Sequence, residues 1–167
     1  MGSIDSKQLS ALFEAYSDAL LLYARAWLAE DAAQDAVQVA FARLMSCARP
    51  PADASSWLFR TVRNEAITRL RRKGRHTRHK KQLSAHRTAW FESRCEDLID
   101  ARMAQEILMT LEPAQREVVV LRIWGQMSLR EIAGIVGAPL TTIYSRYKAA
   151  LAALRKRMDP SCKTTKD

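Results

Sequence analysis

Apolar residues recur along this chain at steps of three and four, the period of a helix with one buried face. Leu9, Leu12, Phe13, Tyr16, Leu20, Tyr23, Ala24 and Trp27 define a long first helix, with Asp5 or Ser6 as its cap. Asp31 is expected to cap a second helix, whose inner face carries Ala33, Val37, Ala40, Phe41 and Leu44. Arg49-Pro50-Pro51-Ala52-Asp53 stops that helix, because proline lacks the amide donor and fixes φ. Ser55 or Ser56 then caps a third helix running to about Arg72. Order resumes near Leu98: Met103, Ile107, Leu108 and Leu111 share one helix, and Pro113 opens the next as its first-turn residue. That helix is strongly apolar through Val118, Val119, Leu121, Ile123 and Trp124, with Gly125 as its stop. The class this predicts is all-α, in two small helical domains joined by a basic flexible linker.

The third helix has two chemically distinct sides. Leu58, Phe59, Val62, Ala66 and Leu70 form the expected buried side. Trp57, Arg60, Thr61, Asn64, Thr68 and Arg71 fall opposite, although Trp57 by size alone is as well read as core. Guanidiniums, hydroxyls and an amide on one surface suit single-stranded nucleic acid, with phosphates to pair and exposed bases to stack or hydrogen-bond. A plain solvated face is the competing reading.

Residues 128–154, SLREIAGIVGAPLTTIYSRYKAALAAL, carry the most specific pattern. Ser128 and Glu131 make a capping box for a short helix with Ile132 and Val136 inward. Ala133 is small where a second helix crosses, Gly137 supplies a permissive backbone, and Pro139 closes the turn. Ile143, Tyr147, Ala150, Leu151 and Leu154 then form a buried stripe, leaving Thr141, Thr142, Tyr144, Ser145, Arg146 and Lys148 near the helix start for contact. This is a helix-turn-helix, whose second helix enters the major groove. Arg146 suits a guanine edge or a phosphate, and the hydroxyls and Lys148 suit the backbone. A helical hairpin used only for protein contacts is the alternative.

Charge sharpens the picture. The net charge is +9, and residues 60–81 alone carry ten basic side chains against one acid, Glu65. Such a concentrated excess fits a phosphate footprint, or else a solvated basic linker. Hydrophobic residues at 48%, with only five Gly and five Pro, support a helical core. Cys47, Cys95 and Cys162 have no CxxC spacing and fit a reduced cytosol. No signal-like start or run of about 18 apolar residues is present, so a cytoplasmic protein without membrane insertion is expected. His76, His79, His86 and Cys95 match no common zinc spacing, so no metal or other cofactor is expected. No nucleophile–base pair or phosphate-binding glycine loop argues for an enzyme or a small-molecule substrate.

EPAQREVVVLRIWGQMSLREIAGIVGAPLTTIYSRYKAALAALRKR closely resembles region 4 of extracytoplasmic-function (ECF) sigma factors, in the sigma-70 superfamily of RNA polymerase subunits. AAQDAVQVAFARLM looks like their region 2.2, and SSWLFRTVRNEAITRLRRKGR like regions 2.3 and 2.4. The resemblance implies a region 2-like domain over residues 1–74, a basic linker over 75–97, a region 4-like domain over 98–158 and a disordered tail over 159–167. It implies core polymerase binding through Asp35, Gln38 and Arg43. Capture of a melted −10 element would use Ser55, Ser56, Arg60, Asn64 and Arg71. A duplex −35 element would be read by Thr141, Thr142, Tyr144, Ser145, Arg146 and Lys148. Promoter DNA, core RNA polymerase and an anti-sigma factor are the implied partners. Two positions depart from the family: Val39 stands where an acid is common after the region 2.2 glutamine, and Tyr144 where a basic residue is usual. The first implies a reshaped clamp contact or a face toward an anti-sigma partner, the second an unusual −35 sequence. An ordinary helix-turn-helix regulator, or an RNA-binding protein using the basic run, is the competing functional reading.

Overall fold

Side chains cap several of the helix starts. The computed structural model describes residues 4–76 and 106–158, which contain helices and no strand. They fall into two compact units, with 4–76 in the first and 106–158 in the second. Among the described residues, no helix is long and apolar enough to cross a membrane.

In the first unit α1 (Ser6–Arg25), α2 (Glu30–Met45) and α3 (Ala54–His76) pack mutually. Asp5 caps α1 through a reciprocal box: its carboxylate accepts from the Gln8 amide at 2.7 Å, and the Gln8 side chain accepts from the Asp5 amide. The core joins Leu20, Tyr23 and Ala24 of α1 with Ala33, Ala36, Val37, Ala40, Phe41 and Leu44 of α2 and Leu58, Phe59, Val62 and Ala66 of α3. Phe59 is its aromatic centre, edge-on to Tyr23 at 5.6 Å and Tyr16 at 6.4 Å. The first half of α1 is less covered; Phe13 is largely exposed, yet its ring meets that of Phe41 at a tilt, 5.2 Å between centres.

Several local expectations shift. Helix α2 starts two residues before the position that Asp31 as its cap requires: Ala29 is the cap residue and makes no side-chain cap bond. Glu30 and Asp31 instead lie in the first turn, where carboxylates favour the exposed amides and the helix dipole. Glu30 is also held there by the buried Arg25 guanidinium at 3.2 Å. Helix α3 is capped by Asp53 rather than by Ser55 or Ser56, since Asp53 accepts from the Ser56 amide at 3.1 Å and the Ser55 hydroxyl at 2.7 Å. It continues past Arg72 through Gly74 to His76. Leu70, expected inside, is exposed, one turn beyond Ala66, the last buried residue among the described side chains of α3. Thr61, expected outside, is buried, and its hydroxyl donates to the Trp57 carbonyl at 2.8 Å. Trp57 is half-buried.

In the second unit, helical residues 106–109 lead into α4 (Pro113–Ile123), α5 (Leu129–Val136) and α6 (Leu140–Met158). Arg116 joins the first two segments: its buried guanidinium donates to the carbonyls of Leu108 at 2.9 Å, Met109 at 3.2 Å and Leu111 at 3.1 Å. The Leu108 carbonyl also accepts from the Leu111 amide at 3.1 Å, and the arginine adds donors where the helix ends and the chain turns. Burial lowers the Arg116 pKa from its ordinary value. Val118, Val119, Val120 and Leu121 meet Ile132 and Ile135 of α5 and Ile143 and Ala150 of α6 in the core. Val136, expected inside, is only half-buried, and Ile135 takes its place in this short helix.

Gly125 follows α4, but not because it needs a left-handed backbone. A Cβ there would lie 2.7 Å from the Leu121 carbonyl oxygen, and the positive φ, 54°, belongs to Gln126. The expected linker over 75–97 begins inside α3, which runs to His76; its residues 77–97, the tail and the side chains of the histidine–cysteine set lie outside the described residues.

Candidate nucleic-acid interface

Two local devices aim the start of α6. The Ser128 hydroxyl accepts from the Glu131 amide at 3.2 Å, and the Glu131 carboxylate accepts from the Ser128 amide at 2.7 Å, which fixes the entry to α5. Gly137 then adopts φ 73°, a left-handed conformation that side chains resist. Its amide and that of Ala138 both donate to the Ala133 carbonyl, turning the chain directly into α6.

The six expected contact residues of α6 divide into two stripes. Thr141, Tyr144, Ser145 and Lys148 are exposed, following one another at helical spacing, whereas Thr142 and Arg146 lie half-buried on the flank. The Ser145 hydroxyl donates to the Thr141 carbonyl at 3.0 Å, so toward a ligand it is foremost an acceptor. Lys148 Nζ sits 5.6 Å from the Tyr144 ring centre, a cation–π pair on the surface. Arg130 on α5 is exposed as well, and no sequence expectation singled it out.

On α3 the residues Arg60, Asn64 and Arg71 are all exposed and, with Thr68, follow one helical stripe. Ser55 and Ser56 lie at its base, half-buried around Asp53. The Asp53 pKa is lowered, first by the hydrogen bond from the Ser56 side chain, against a smaller opposing effect of burial and with further help from Ser55.

On α2 Asp35, Gln38 and Arg43 are exposed, while Val39 is half-buried. Two of them are anchored from α3. Arg43 donates to Glu65 at 3.1 Å, Glu65 also accepts from Arg69 Nε at 3.1 Å, and Arg69 reaches Asp35 at 3.4 Å. The periodicity did not single out Glu65 and Arg69; their only local signal was an acid four residues before an arginine.

Comparison with known proteins identifies both units. The sigma-70 region 2 family matches residues 12–76, and sigma-70, region 4, matches residues 101–154. The RNA polymerase sigma-E factor of Streptomyces antibioticus is 33% identical over 130 residues, covering 76% of this chain and 71% of that one. The sigma-E factor of Streptomyces avermitilis is 42% identical over 64 residues, a match spanning 38% of this chain and only 36% of that relative. The sigma factor RpoE from Bartonella quintana, solved in complex with the anti-sigma factor NepR, has a similar fold, with a TM-score of 0.64 at 23% identity over 93% of this chain and 99% of that one. Region 2 precedes region 4 in this chain, and the chain belongs to the ECF sigma factors of the sigma-70 family.

Proposed function

We propose that this chain is a transcription initiation factor that binds core RNA polymerase and directs it to promoters carrying spaced −10 and −35 elements. The observation that carries the reading is the presence, in one chain, of both sigma regions, each folded around an exposed polar helix face. The α6 stripe of Thr141, Tyr144, Ser145 and Lys148, with Thr142 and Arg146 beside it, is the reader of duplex −35 DNA. The α3 stripe of Arg60, Asn64 and Arg71, with Ser55 and Ser56 at its base, captures the melted −10 strand. Asp35, Gln38 and Arg43 on α2 form the polymerase contact. The domain limits expected from sequence, 1–74 and 98–158, remain the working division of labour.

Two modest DNA contacts in one chain make a strong composite site when their spacing matches the promoter. Binding an unstacked base helps offset the cost of opening the duplex. The polymerase performs the chemistry, and this subunit selects the site, in the cytoplasm. The solved complex of a fold relative with an anti-sigma factor supports a similar inhibitory partner for this chain.

Run-off transcription with core polymerase, with and without the chain, on promoter fragments of its own genome tests the reading. New start sites sharing spaced −10 and −35 sequences are expected. Failure both to bind core polymerase and to redirect initiation would overturn it.

A further inference from the structure

The four charged groups spanning α2 and α3 are graded from inside to outside. Glu65 is 12% exposed and Arg69 26%, whereas Arg43 is 54% and Asp35 62% exposed. Glu65 is the hub: one carboxylate oxygen takes Arg43 Nη2, and the other takes Arg69 Nε. Arg69 passes the link on to Asp35. A large partner docking on α2 therefore meets Arg43 and Asp35 and has little access to Glu65. Both outer groups engage the network through a single atom, Nη2 of Arg43 and Oδ2 of Asp35, which leaves most of each group for a partner.

We infer that Glu65 is a positioning residue for the partner-binding face of α2, holding Arg43 directly and Asp35 through Arg69 in the arrangement the partner receives. This rests on the polymerase-binding reading above. The physical basis is preorganisation. A long exposed side chain loses rotamer freedom when a partner fixes it, and one already held within its own molecule loses less. Glu65 also compensates the charge of two guanidiniums that would otherwise repel each other between the helices. Without it, Arg43 swings free and Arg69 loses its nearest carboxylate, so Asp35 loses its brace.

The test measures the affinity of the full chain for core polymerase at low salt, where weakened complexes stay measurable. The unfolding midpoint of each variant is recorded alongside. Glu65→Gln, which keeps the shape and removes the charge, is expected to weaken binding about three- to ten-fold, the range for freeing one or two interface side chains. In a chain already carrying Asp35→Ala and Arg43→Ala, the same change is expected to alter affinity by less than about two-fold, because nothing remains for Glu65 to position. An equal loss in both backgrounds would overturn the inference by showing a merely structural role. Unchanged or tighter binding by Glu65→Gln in the otherwise unaltered chain would overturn it too. If the unaltered chain does not bind core polymerase, the polymerase reading itself falls, which is a different result from wild-type binding that Glu65→Gln leaves untouched.

Discussion

The outward faces of α6 and α2 both offer polar and charged side chains to a partner, but they are held in different ways. On α6 the restraints are local: Ser145 bonds to Thr141 and Lys148 lies over Tyr144, all within one helix. On α2 they are remote, since Arg43 is tied to a residue 22 positions away and Asp35 to one 34 positions away. The contrast suits two kinds of partner. Double-helical DNA is a regular surface that a correctly aimed helix can read, so the decisive structure lies in the aiming devices. A protein surface is irregular and rewards side chains fixed in place before contact.

The largest effect is expected at the buried Arg116 guanidinium of the second unit. Arg116→Leu would remove the guanidinium bonds to the carbonyls of Leu108, Met109 and Leu111, of which Leu108 keeps the Leu111 amide. The expected loss is about 3 kcal/mol of unfolding free energy, measured by urea denaturation. Lysine should not restore it, because a single ammonium cannot reproduce the planar fork. A loss below about 1 kcal/mol would mean that water replaces the arginine and that aiming α6 does not depend on it.

Next comes DNA reading. Arg146→Ala is expected to lose about 1–3 kcal/mol of promoter affinity and relax discrimination at one −35 base. Competition binding across single-base variants measures it, and a uniform loss on every sequence would assign Arg146 to phosphate. Gly137→Ala sharpens the same point from the backbone side. At φ 73° with open space around it, the substitution meets no clash, so the expected cost of about 1–2 kcal/mol is conformational alone. Unfolding would report that cost, and an unchanged midpoint would show that the turn relaxes away from the left-handed region.

These differences also explain what could be read in advance. The helix-turn-helix was legible because its signals are short-range: Ser128 with Glu131, Gly137 at the turn, and a period continuing through Ile143 and Ala150. The fold class followed from the same periodicity. Errors came where a neighbour in space decided the outcome. Val136 and Ile135 differ by one helical step, and only the position of α4 and α6 selects between them. The start of α2 moved because Arg25, buried beside it, holds Glu30. Leu70 had the right spacing for burial but lies beyond the last covered turn. The Glu65 hub joins helices through pairs that no local window contains.

The smallest effect belongs to the cap of α3, where the comparison becomes a question of pH. Asp53→Ala removes the acceptor for the Ser56 amide and the Ser55 hydroxyl at the base of the exposed α3 stripe. A lost cap is expected to cost about 1 kcal/mol at neutral pH. The folded carboxyl titrates below its ordinary value of 3.8. Its ionised form is therefore favoured by folding, and the charge-linked part of its stabilisation is fully present above 3.8. That part fades as pH falls through the lower folded value, where the carboxyl protonates in the folded chain as well. The difference between the unaltered chain and Asp53→Ala should thus be constant from pH 5 to 7 and shrink below 3.8. Urea denaturation of the two chains at matched pH measures this directly. Ser128→Ala serves as the contrast, because its hydroxyl carries no titrating charge. A gap that stays constant into acid for Asp53→Ala would show that its neutral carboxyl caps α3 as well as the anion does, and that the charge contributes nothing at this helix start.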